Sequence, residues 1–207
     1  MGLPQARVDD EFPSAASLLA ENERLKRELA VARARIGELE ARADVDPLLD
    51  ILNRRGFERE LVRASAHVKR YGTQAVLMFI DLDRFKAVND RYGHGVGDAL
   101  LKAVARELVA HVRASDVVGR LGGDEFGVLI WRADEAQAAA KARDLETLIA
   151  RIAIPRGQAQ VQVGASAGTA PLLADATPIQ TIAAADRAMY ARKEERRGLP
   201  PAVKWGE

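Results

Sequence analysis

Two adjacent carboxylates, Asp124 and Glu125, lie at the tip of a predicted β-hairpin. Apolar runs at 117–121 and 127–131 flank the tip, and the two glycines before Asp124 accept the positive φ of a tight turn without steric cost. An isolated acidic pair on a turn is most simply a solvated loop. A second acidic strand end upstream, at Asp81, makes a chemical site the favoured interpretation.

An unbroken apolar run at 75–80 leads directly into Asp81 and predicts a central strand buried on both faces. If this strand lies near the hairpin, the carboxylates of Asp81 and Asp124 come side by side. Carboxylate oxygens, with a backbone carbonyl and phosphate oxygens, are the ligands that Mg²⁺ prefers. Two such ions about 3.5–4 Å apart can activate an attacking hydroxyl and stabilise a leaving oxygen. A strand-end cap is the alternative role for Asp81.

Asn89 and Asp98 have side chains suited to guanine. Guanine presents N1–H and N2–H₂ donors that a carboxylate can accept together, and an amide can both donate and accept. Adenine offers no matching pair of donors, and polar groups left unpaired in a buried site reject the wrong base by orders of magnitude. An Asn–Asp pair is also a common helix cap. The spacing of the two within the segment 85–98, FKAVNDRYGHGVGD, favours nucleotide recognition.

The pentapeptide Gly-Gly-Asp-Glu-Phe at 122–126 is the signature of the GGDEF family, and residues 46–198 resemble a bacterial diguanylate cyclase. The resemblance implies that two GTP molecules condense into cyclic di-GMP with release of two pyrophosphates. It implies two Mg²⁺ ions in each active site, with Mn²⁺ as an alternative. It also implies a ferredoxin-like, palm-type cyclase domain.

The same resemblance assigns roles to individual residues. Asp81, Asp124 and the backbone carbonyl of Leu82 match the metal ligands. Asp124 would also help to deprotonate the 3′-hydroxyl, with Glu125 as a supporting acid. Lys86 matches a lysine that stabilises the transition state. The positions that match substrate contacts are Phe85, Asn89, His94, Asp98, Lys193 and Arg197.

The phosphate-binding pair, Lys193 and Arg197, belongs with the segment 185–193 (ADRAMYARK), which resembles the last-helix motif of the family. The glycine that usually precedes the arginine is Arg196 here, so the arginine assignment shifts by one if Arg196 takes the role. Without the motif, such a Lys/Arg/Glu cluster is a solvated helix end. A common glycine in the opening motif of the family is likewise replaced, by Asp50.

Arg113 and Asp116 resemble the inhibitory RxxD motif of the family. The resemblance implies that the arginine pairs with guanine or phosphate of cyclic di-GMP and the aspartate with guanine. A plain surface ion pair is the alternative, and the position just ahead of the signature favours product binding. A further arginine from the next long helix is common in the family. Arg143 is one candidate for it, and Asp144 or Glu146 is the alternative occupant of that place.

Residues 15 to about 44 predict a long helix with apolar residues at heptad spacing. Leucine at the d positions, Ile36 at an a position and one asparagine in the a row favour a parallel two-stranded coiled coil, and hence a homodimer. The alternative is an amphipathic helix packed on its own domain, which usually shows a broader apolar face. The a positions are Asn22, Leu29, Ile36 and Ala43, the d positions are Leu18, Leu25, Ala32 and Leu39, and the predicted interhelical ion pairs are Glu21–Lys26, Glu28–Arg33 and Arg35–Glu40.

We divide the chain into a flexible lead at 1–14, a dimerising coiled coil at 15–45 and a cyclase domain at 46–207. Mixed helices and strands in the last of these predict an α+β fold, with helices around a central, mainly antiparallel sheet. The further predicted elements are a helix capped by Asn53 and ending near Arg70, helical periodicity at 100–112, a helix from Asp134 to about Ile154 closed by Pro155 and Gly157, a strand at 161–170, and a last helix from Pro178 or Ile179 to about Arg196.

The composition of the 207-residue chain, 48% hydrophobic and 29% charged, is typical of a soluble globular protein. The net charge of +1 argues against a nucleic-acid polymer or a membrane surface as partner. The absence of cysteine excludes disulfides and thiolate metal sites and suits the bacterial cytoplasm. No apolar run approaches the about 20 residues that span a bilayer.

The leading hypothesis is an active, dimeric, product-inhibited diguanylate cyclase. One alternative is a catalytically silent cyclic di-GMP receptor that uses Arg113 and Asp116, and another is a coiled-coil interaction protein with a vestigial domain. Both would be expected to have lost their carboxylates, yet Asp81 and Asp124 are present. A cyclase for another nucleotide is opposed by the predicted guanine contacts.

Overall fold

The computed structural model describes residues 15–42, 44–157 and 159–197, and the chain divides into two compact units, Met1–Ala43 and Asp44–Glu207. The predicted lead at 1–14 lies outside the described residues. The first unit contains α1 (Ala15–Arg42). The second contains, in chain order, α2 (Arg54–Tyr71), β1 (Ala75–Asp83), α3 (Phe85–Tyr92), α4 (His94–Ala110), β2 (Val117–Arg120), β3 (Glu125–Trp131), α5 (Glu135–Ile149), β4 (Ala153–Arg156), β5 (Ala159–Gln162), β6 (Gly164–Pro171) and α6 (Pro178–Arg197).

Four antiparallel strands form the main sheet of the second unit, in the order β2-β3-β1-β6. The central strand is β1, which pairs with β3 on one side and with β6 on the other. Its first six residues are all buried, as the unbroken apolar run predicts. The α+β fold and the β2–β3 hairpin that the sequence predicts are both confirmed.

Each face of the sheet has its own apolar core, because alternate side chains of β1 point to opposite faces. Met78 and Ile80 pack with apolar residues of α3, α4 and α5. Leu77 and Phe79 pack with apolar residues of α2 and α6. Helices therefore cover both apolar faces of the sheet, and the polar side chains of the candidate site lie at the strand ends.

Side chains and backbone at three positions fix where helices and turns begin. The side chain of Asn53 accepts the N–H of Gly56 at 2.9 Å and caps α2, which confirms that prediction. Asp134 and Gln137 form a reciprocal capping box at the start of α5. Asp50 adopts a φ of 56°, a left-handed conformation that glycine accepts most easily and aspartate tolerates.

The predicted helix from Asp134 to about Ile154 is too long. Helix α5 ends at Ile149, and the residues predicted to finish it form β4, which pairs with β5 in a separate two-stranded sheet. Pro155 fits this sheet because an edge strand tolerates a residue that cannot donate a hydrogen bond. Gly157, with a φ of 62°, turns the chain between the two strands.

The predicted strand at 161–170 is interrupted. Val161 belongs to β5, Val163 lies between the strands, and β6 begins at Gly164. Val161, Val163 and Ala165 are all buried. The hydrophobic pattern therefore runs through the break without a signal that the chain has changed sheets.

Helix α1 carries its apolar residues on an exposed surface within its own unit. Its charged side chains pair along the helix: Arg24 bonds to Glu21 and Glu28 at 2.6–2.8 Å. Within the described ranges, no helix combines the length and apolar character needed to cross a membrane. The exposed fractions of the heptad side chains are 56% for Leu18, 50% for Leu25, 51% for Leu29, 55% for Ile36 and 54% for Leu39.

Candidate active site

The ends of two neighbouring strands bring the predicted carboxylates together. Asp81, near the end of β1, is the register partner of Glu125 at the start of β3. The N–H of Leu82 donates to the carbonyl of Asp124 at 3.2 Å. Asp81 and Asp124 therefore lie at the same strand junction, where the backbone of Leu82 is hydrogen-bonded to that of Asp124.

An arginine holds the turn that carries Asp124. Arg120 donates from Nε to the carbonyl of Gly122 at 3.0 Å and from Nη2 to that of Gly123 at 2.7 Å. Its Nη1 donates to Asp46 Oδ2 at 3.1 Å, and Asp46 is buried. The start of the domain is thus joined to the signature turn through one guanidinium group.

The backbone conformation of the two glycines in the signature turn differs from the prediction. Neither Gly122 nor Gly123 has a positive φ, so the expected left-handed turn is wrong. A Cβ at Gly122 would instead overlap the carboxylate of Glu125. The first glycine therefore allows the close approach of this flexible side chain, whereas a Cβ at Gly123 would meet no atom within 4 Å.

The carboxylates at the strand junction repel one another. Burial and the charge of Asp81 raise the pKa of Asp124, and burial with the charges of Asp81, Asp124 and Asp186 raises the pKa of Glu125. Among the described residues, no cluster of three or more acidic, histidine or cysteine side chains is arranged to hold a metal ion. A cation here would be held by the carboxylates of Asp81 and Asp124 and by a backbone carbonyl such as that of Leu82.

Lys193, predicted to bind phosphate, lies against Asp81, and their side chains form an ion pair. Arg196 is turned inward: its Nη1 donates to the carbonyl of Ala165 at 2.7 Å and lies 3.0 Å from Glu146 Oε2. It is not free to replace Arg197 as a phosphate ligand in this arrangement. The side chain of Arg197 lies outside the described residues.

Asn89 carries a buried acceptor without a donor. Its Oδ1 is buried and has no hydrogen-bond partner, and a Cβ at Gly97 would overlap this atom. Gly97 also packs against the ring of Phe85, and Asp98 follows it on the exposed side of α4. Asn89 and Phe85 therefore both pack against Gly97, and Asp98 is its neighbour in the chain. The other two side chains predicted in this segment, Lys86 and His94, are exposed.

The RxxD residues lie at the other end of the hairpin. A cavity of about 430 Å³ between this loop and α5 is lined by Arg113 and Asp116, and also by Lys141 and Asp144. Asp116 accepts the N–H of Arg113 at 2.9 Å and the N–H of Trp131 at 3.1 Å. Its carboxylate is therefore already hydrogen-bonded to the backbone, while Arg113 is exposed. Arg143 and Glu146, the other candidates on α5, do not line this cavity.

The family profile described as "Diguanylate cyclase, GGDEF domain" matches residues 43–198. The chain belongs to the GGDEF family. Diguanylate cyclase TpbB from Pseudomonas aeruginosa is 39% identical to this GGDEF protein over 158 residues, which cover 74% of this chain and 36% of TpbB. The chain spans about a fifth to a third of the length of the first curated relatives that it matches, 22% in one case and 36% in another.

Solved GGDEF structures have the same fold. A sensory box/GGDEF family protein from Caulobacter crescentus superposes with a TM-score of 0.68 at 36% identity, covering 74% of this chain and 99% of that one. The coiled coil and GGDEF domain of DgcB from the same organism, in complex with c-di-GMP, superposes with a TM-score of 0.70 at 26% identity, covering 86% of this chain and 95% of that one.

Sequence reasoning missed two sets of supporting residues in this GGDEF domain. The first is the Asp46–Arg120 pair, for which the signal was an acidic residue before proline at the start of the domain. The second is buried Glu146, which binds Arg192 and Arg196. Its signal was an acidic residue on the buried face of a helix, next to Leu145.

Proposed function

We propose that this protein is a diguanylate cyclase. The 3′-oxygen of one GTP attacks the α-phosphorus of a second GTP, the bond from that phosphorus to the bridging oxygen breaks, and pyrophosphate leaves. The same step with the roles reversed closes the ring of cyclic di-GMP. The observation that carries the proposal is the pairing of β1 with β3, which sets Asp81 beside Asp124 and Glu125.

The donor set at this junction fits a divalent cation. Burial and the charge of Asp81 raise the pKa of Asp124, so a positive ion would stabilise its carboxylate, and hard oxygen ligands suit Mg²⁺ or Mn²⁺. When bound, a pair of such ions would activate the hydroxyl and stabilise the leaving oxygen. Asp81, Asp124 and the carbonyl of Leu82 would hold them. Asp124, next to Glu125, is proposed to help remove the proton of the 3′-hydroxyl.

Selection of guanine is assigned to Asn89 and Asp98. The buried, unpartnered Oδ1 of Asn89 supports this role, because a buried acceptor without a donor is costly and a base N–H would satisfy it. The exposed Lys86 and the ammonium of Lys193 beside Asp81 would contact the triphosphate. His94 and Phe85 complete the proposed binding site.

Catalysis is proposed to need a homodimer, because one domain offers one GTP site and the reaction joins two. A parallel coiled coil would deliver two domains to the same end. The exposed heptad residues of α1 support this, since a row of half-exposed leucines on one helix is stabilised by a second helix. Holding both substrates in line would lower much of the barrier.

Product inhibition is proposed at Arg113 and Asp116. The cavity beside them and the exposed guanidinium of Arg113 support a site for an anionic ligand. The solved DgcB structure, by its description, is a complex with c-di-GMP. With GTP as substrate, we propose that the protein works in the bacterial cytoplasm.

Incubation of the purified protein with GTP and Mg²⁺ tests the proposal. Chromatography of the products should show cyclic di-GMP and pyrophosphate in a ratio of one to two, and a mass measurement should give a dimer. Binding of cyclic di-GMP without any consumption of GTP would favour the silent receptor instead. Conversion of ATP as readily as GTP would contradict the guanine assignment.

A further inference from the structure

Glu146 on α5 is an acidic side chain held inside the domain, with only 4% of its surface exposed. Its Oε1 accepts the N–H of Ala167 at 2.9 Å. Its Oε2 lies 3.1 Å from Arg192 Nη2 and 3.0 Å from Arg196 Nη1. A buried carboxylate requires partners of this kind, because burial without them disfavours the charged form. We call these three side chains, Glu146, Arg192 and Arg196, the Glu146 cluster.

The end of α6 depends on polar contacts for its position. Up to Met189 the helix is held by packing: a Cβ at Gly168 of β6 would overlap backbone atoms of Ala185 and Met189. Beyond Ala191 the helix continues as Arg-Lys-Glu-Glu-Arg-Arg, without an apolar side chain. The last turns are therefore attached to the domain through the Glu146 cluster and the Lys193–Asp81 ion pair. Arg196 also donates to the carbonyl of Ala165 at 2.7 Å and lies 4.0 Å from Asp83 Oδ2.

The Glu146 cluster also fixes the rotation of this helix about its axis. Arg192 and Arg196 are one turn apart and therefore lie on the same face. Lys193 follows Arg192 and points about 100° further around the axis, since a helix has about 3.6 residues per turn. With both arginines held by Glu146, the ammonium of Lys193 is directed at Asp81.

We propose that Glu146 is a positioning residue for the substrate: by holding Arg192 and Arg196, it directs Lys193 at the triphosphate beside Asp81. This inference rests on the proposed function, since it takes the ligand at Asp81 to be GTP. Glu146 does not touch the nucleotide. It acts by fixing the rotation of α6 about its axis, and Lys193 makes the contact with the triphosphate.

Glu146→Gln tests this role with little change in shape. The amide oxygen can still accept the N–H of Ala167, but the charge that holds the two arginines is lost. The probe is a GTP analogue with a methylene group between the α- and β-phosphorus, which cannot release pyrophosphate. With Mg²⁺ present, the dissociation constant of the analogue should rise about 10-fold. KM for GTP should rise by the same factor, while kcat should stay within about twofold of the wild type. This is the pattern for a contact made equally in the ground and transition states.

Glu195→Gln is the matched control. Glu195 is the other carboxylate partner of Arg192, at 3.4 Å, but it is 69% exposed. The same chemical change on the outer side of the same guanidinium should leave binding and KM unchanged. An equal loss in both variants would mean that any lost charge near α6 weakens binding, and this would overturn a specific role for Glu146.

The double variant Glu146→Gln with Lys193→Met separates positioning from a general structural effect. If Glu146 acts through Lys193, the analogue should bind the double variant as it binds Lys193→Met alone, since the two changes remove one interaction. A further loss of about 10-fold in the double variant would overturn the proposal. So would unchanged binding in Glu146→Gln itself.

Hydrogen exchange gives a readout that does not depend on turnover. In Glu146→Gln, amides of residues 190–197 should exchange faster than in the wild type, and those of β1 should not. Faster exchange with normal analogue binding would overturn the role in substrate positioning. A wild type that makes no cyclic di-GMP would refute the proposed function while exchange still tests the attachment of α6.

If Glu146→Gln fails to fold, Arg192→Gln, changed at the more exposed partner, should give the same pattern with about a threefold loss of binding.

Discussion

The two ends of the β2–β3 hairpin place aspartates in opposite electrostatic situations. At the tip, Asp124 is partly buried beside Asp81, and both burial and this like charge raise its pKa. At the base, Asp116 accepts backbone N–H groups of Arg113 and Trp131. The charges of Lys193 and Arg120 compensate the carboxylate at the tip only in part, whereas the carboxylate at the base is part of the framework.

This difference separates an acid proposed for chemistry from an acid used for structure. Asp124 lies in the signature and Asp116 in a stretch that resembles the RxxD motif, so motif resemblance alone does not distinguish them. The partners do: Asp124 would gain from a bound cation, while Asp116 already has its donors. At the base the group available to a ligand is Arg113, whose guanidinium forms no ion pair among the described residues.

Asp124→Asn should have the largest effect on activity and a neutral or positive effect on stability. Formation of cyclic di-GMP should fall by at least about 1,000-fold, because the site loses a cation ligand at the reacting atoms. The melting temperature of the metal-free protein should stay the same or rise, since the repulsion with Asp81 is removed. Turnover assays and thermal unfolding measure the two. A marked drop in the melting temperature together with the loss of activity would instead assign Asp124 a structural role.

Catalysis at the tip of the β2–β3 hairpin is proposed to require the same tip of a second chain, whereas binding at the base is not. Replacing Leu25, Leu29 and Ile36 with lysine should produce a monomer and lower the activity about 10- to 100-fold at low protein concentration. Val31→Lys is the matched control, since Val31 is 70% exposed on the same helix but lies outside the a and d positions. Analytical ultracentrifugation with a rate assay compares them, and a fully active monomer would contradict the dimeric mechanism.

Arg113→Ala and Asp116→Ala should divide ligand binding from stability at the base. Arg113→Ala should weaken inhibition by cyclic di-GMP about 10-fold or more while the initial rate changes by less than about twofold. Asp116→Ala leaves the N–H of Trp131 without its acceptor and should cost about 1–3 kcal/mol of unfolding free energy. Initial rates with added product and denaturant titrations measure the two, and unaltered inhibition in Arg113→Ala would remove the proposed product site.

The smallest effect concerns the pH dependence of stability in the metal-free protein. The folded-state pKa of Asp124 lies above its unfolded value, so the folded protein binds the proton more tightly. The contribution of this group therefore favours folding at low pH and is lost as the pH rises from the unfolded pKa through the folded pKa. Asp124→Asn should flatten this part of the curve, measured by denaturant unfolding between pH 4 and 7. An unchanged curve would contradict the repulsion at the tip.

The sequence predicted the sheet and its acidic strand ends because both depend on local patterns. The apolar run before Asp81 and the flanks of the signature turn each specify a strand, and β1 and β3 pair as the site requires. The short sheet of β4 and β5 was missed because its residues continue the apolar pattern of the neighbouring elements. A four-residue strand is below the length at which periodicity separates strand from helix.

Contacts between distant segments could not be predicted in the same way. Nothing in the spacing of Glu146 and Arg192 indicates that the two meet, because 46 residues separate them and only the packing of α5 and α6 on the sheet brings them together. Arg120 and Asp46 are separated by 74 residues and pose the same problem. Motifs therefore indicated the proposed reacting groups, and the structure was needed for the residues that hold them.

Binding of Mn²⁺ in the presence of the methylene analogue of GTP tests the central claim most directly, with free Mn²⁺ measured by electron paramagnetic resonance. The wild type should bind the ion together with the nucleotide, and Asp81→Asn and Asp124→Asn should each lose that binding by at least about 10-fold while remaining folded. If both variants bound Mn²⁺ and nucleotide as the wild type does, the paired strand ends would not be the cation site.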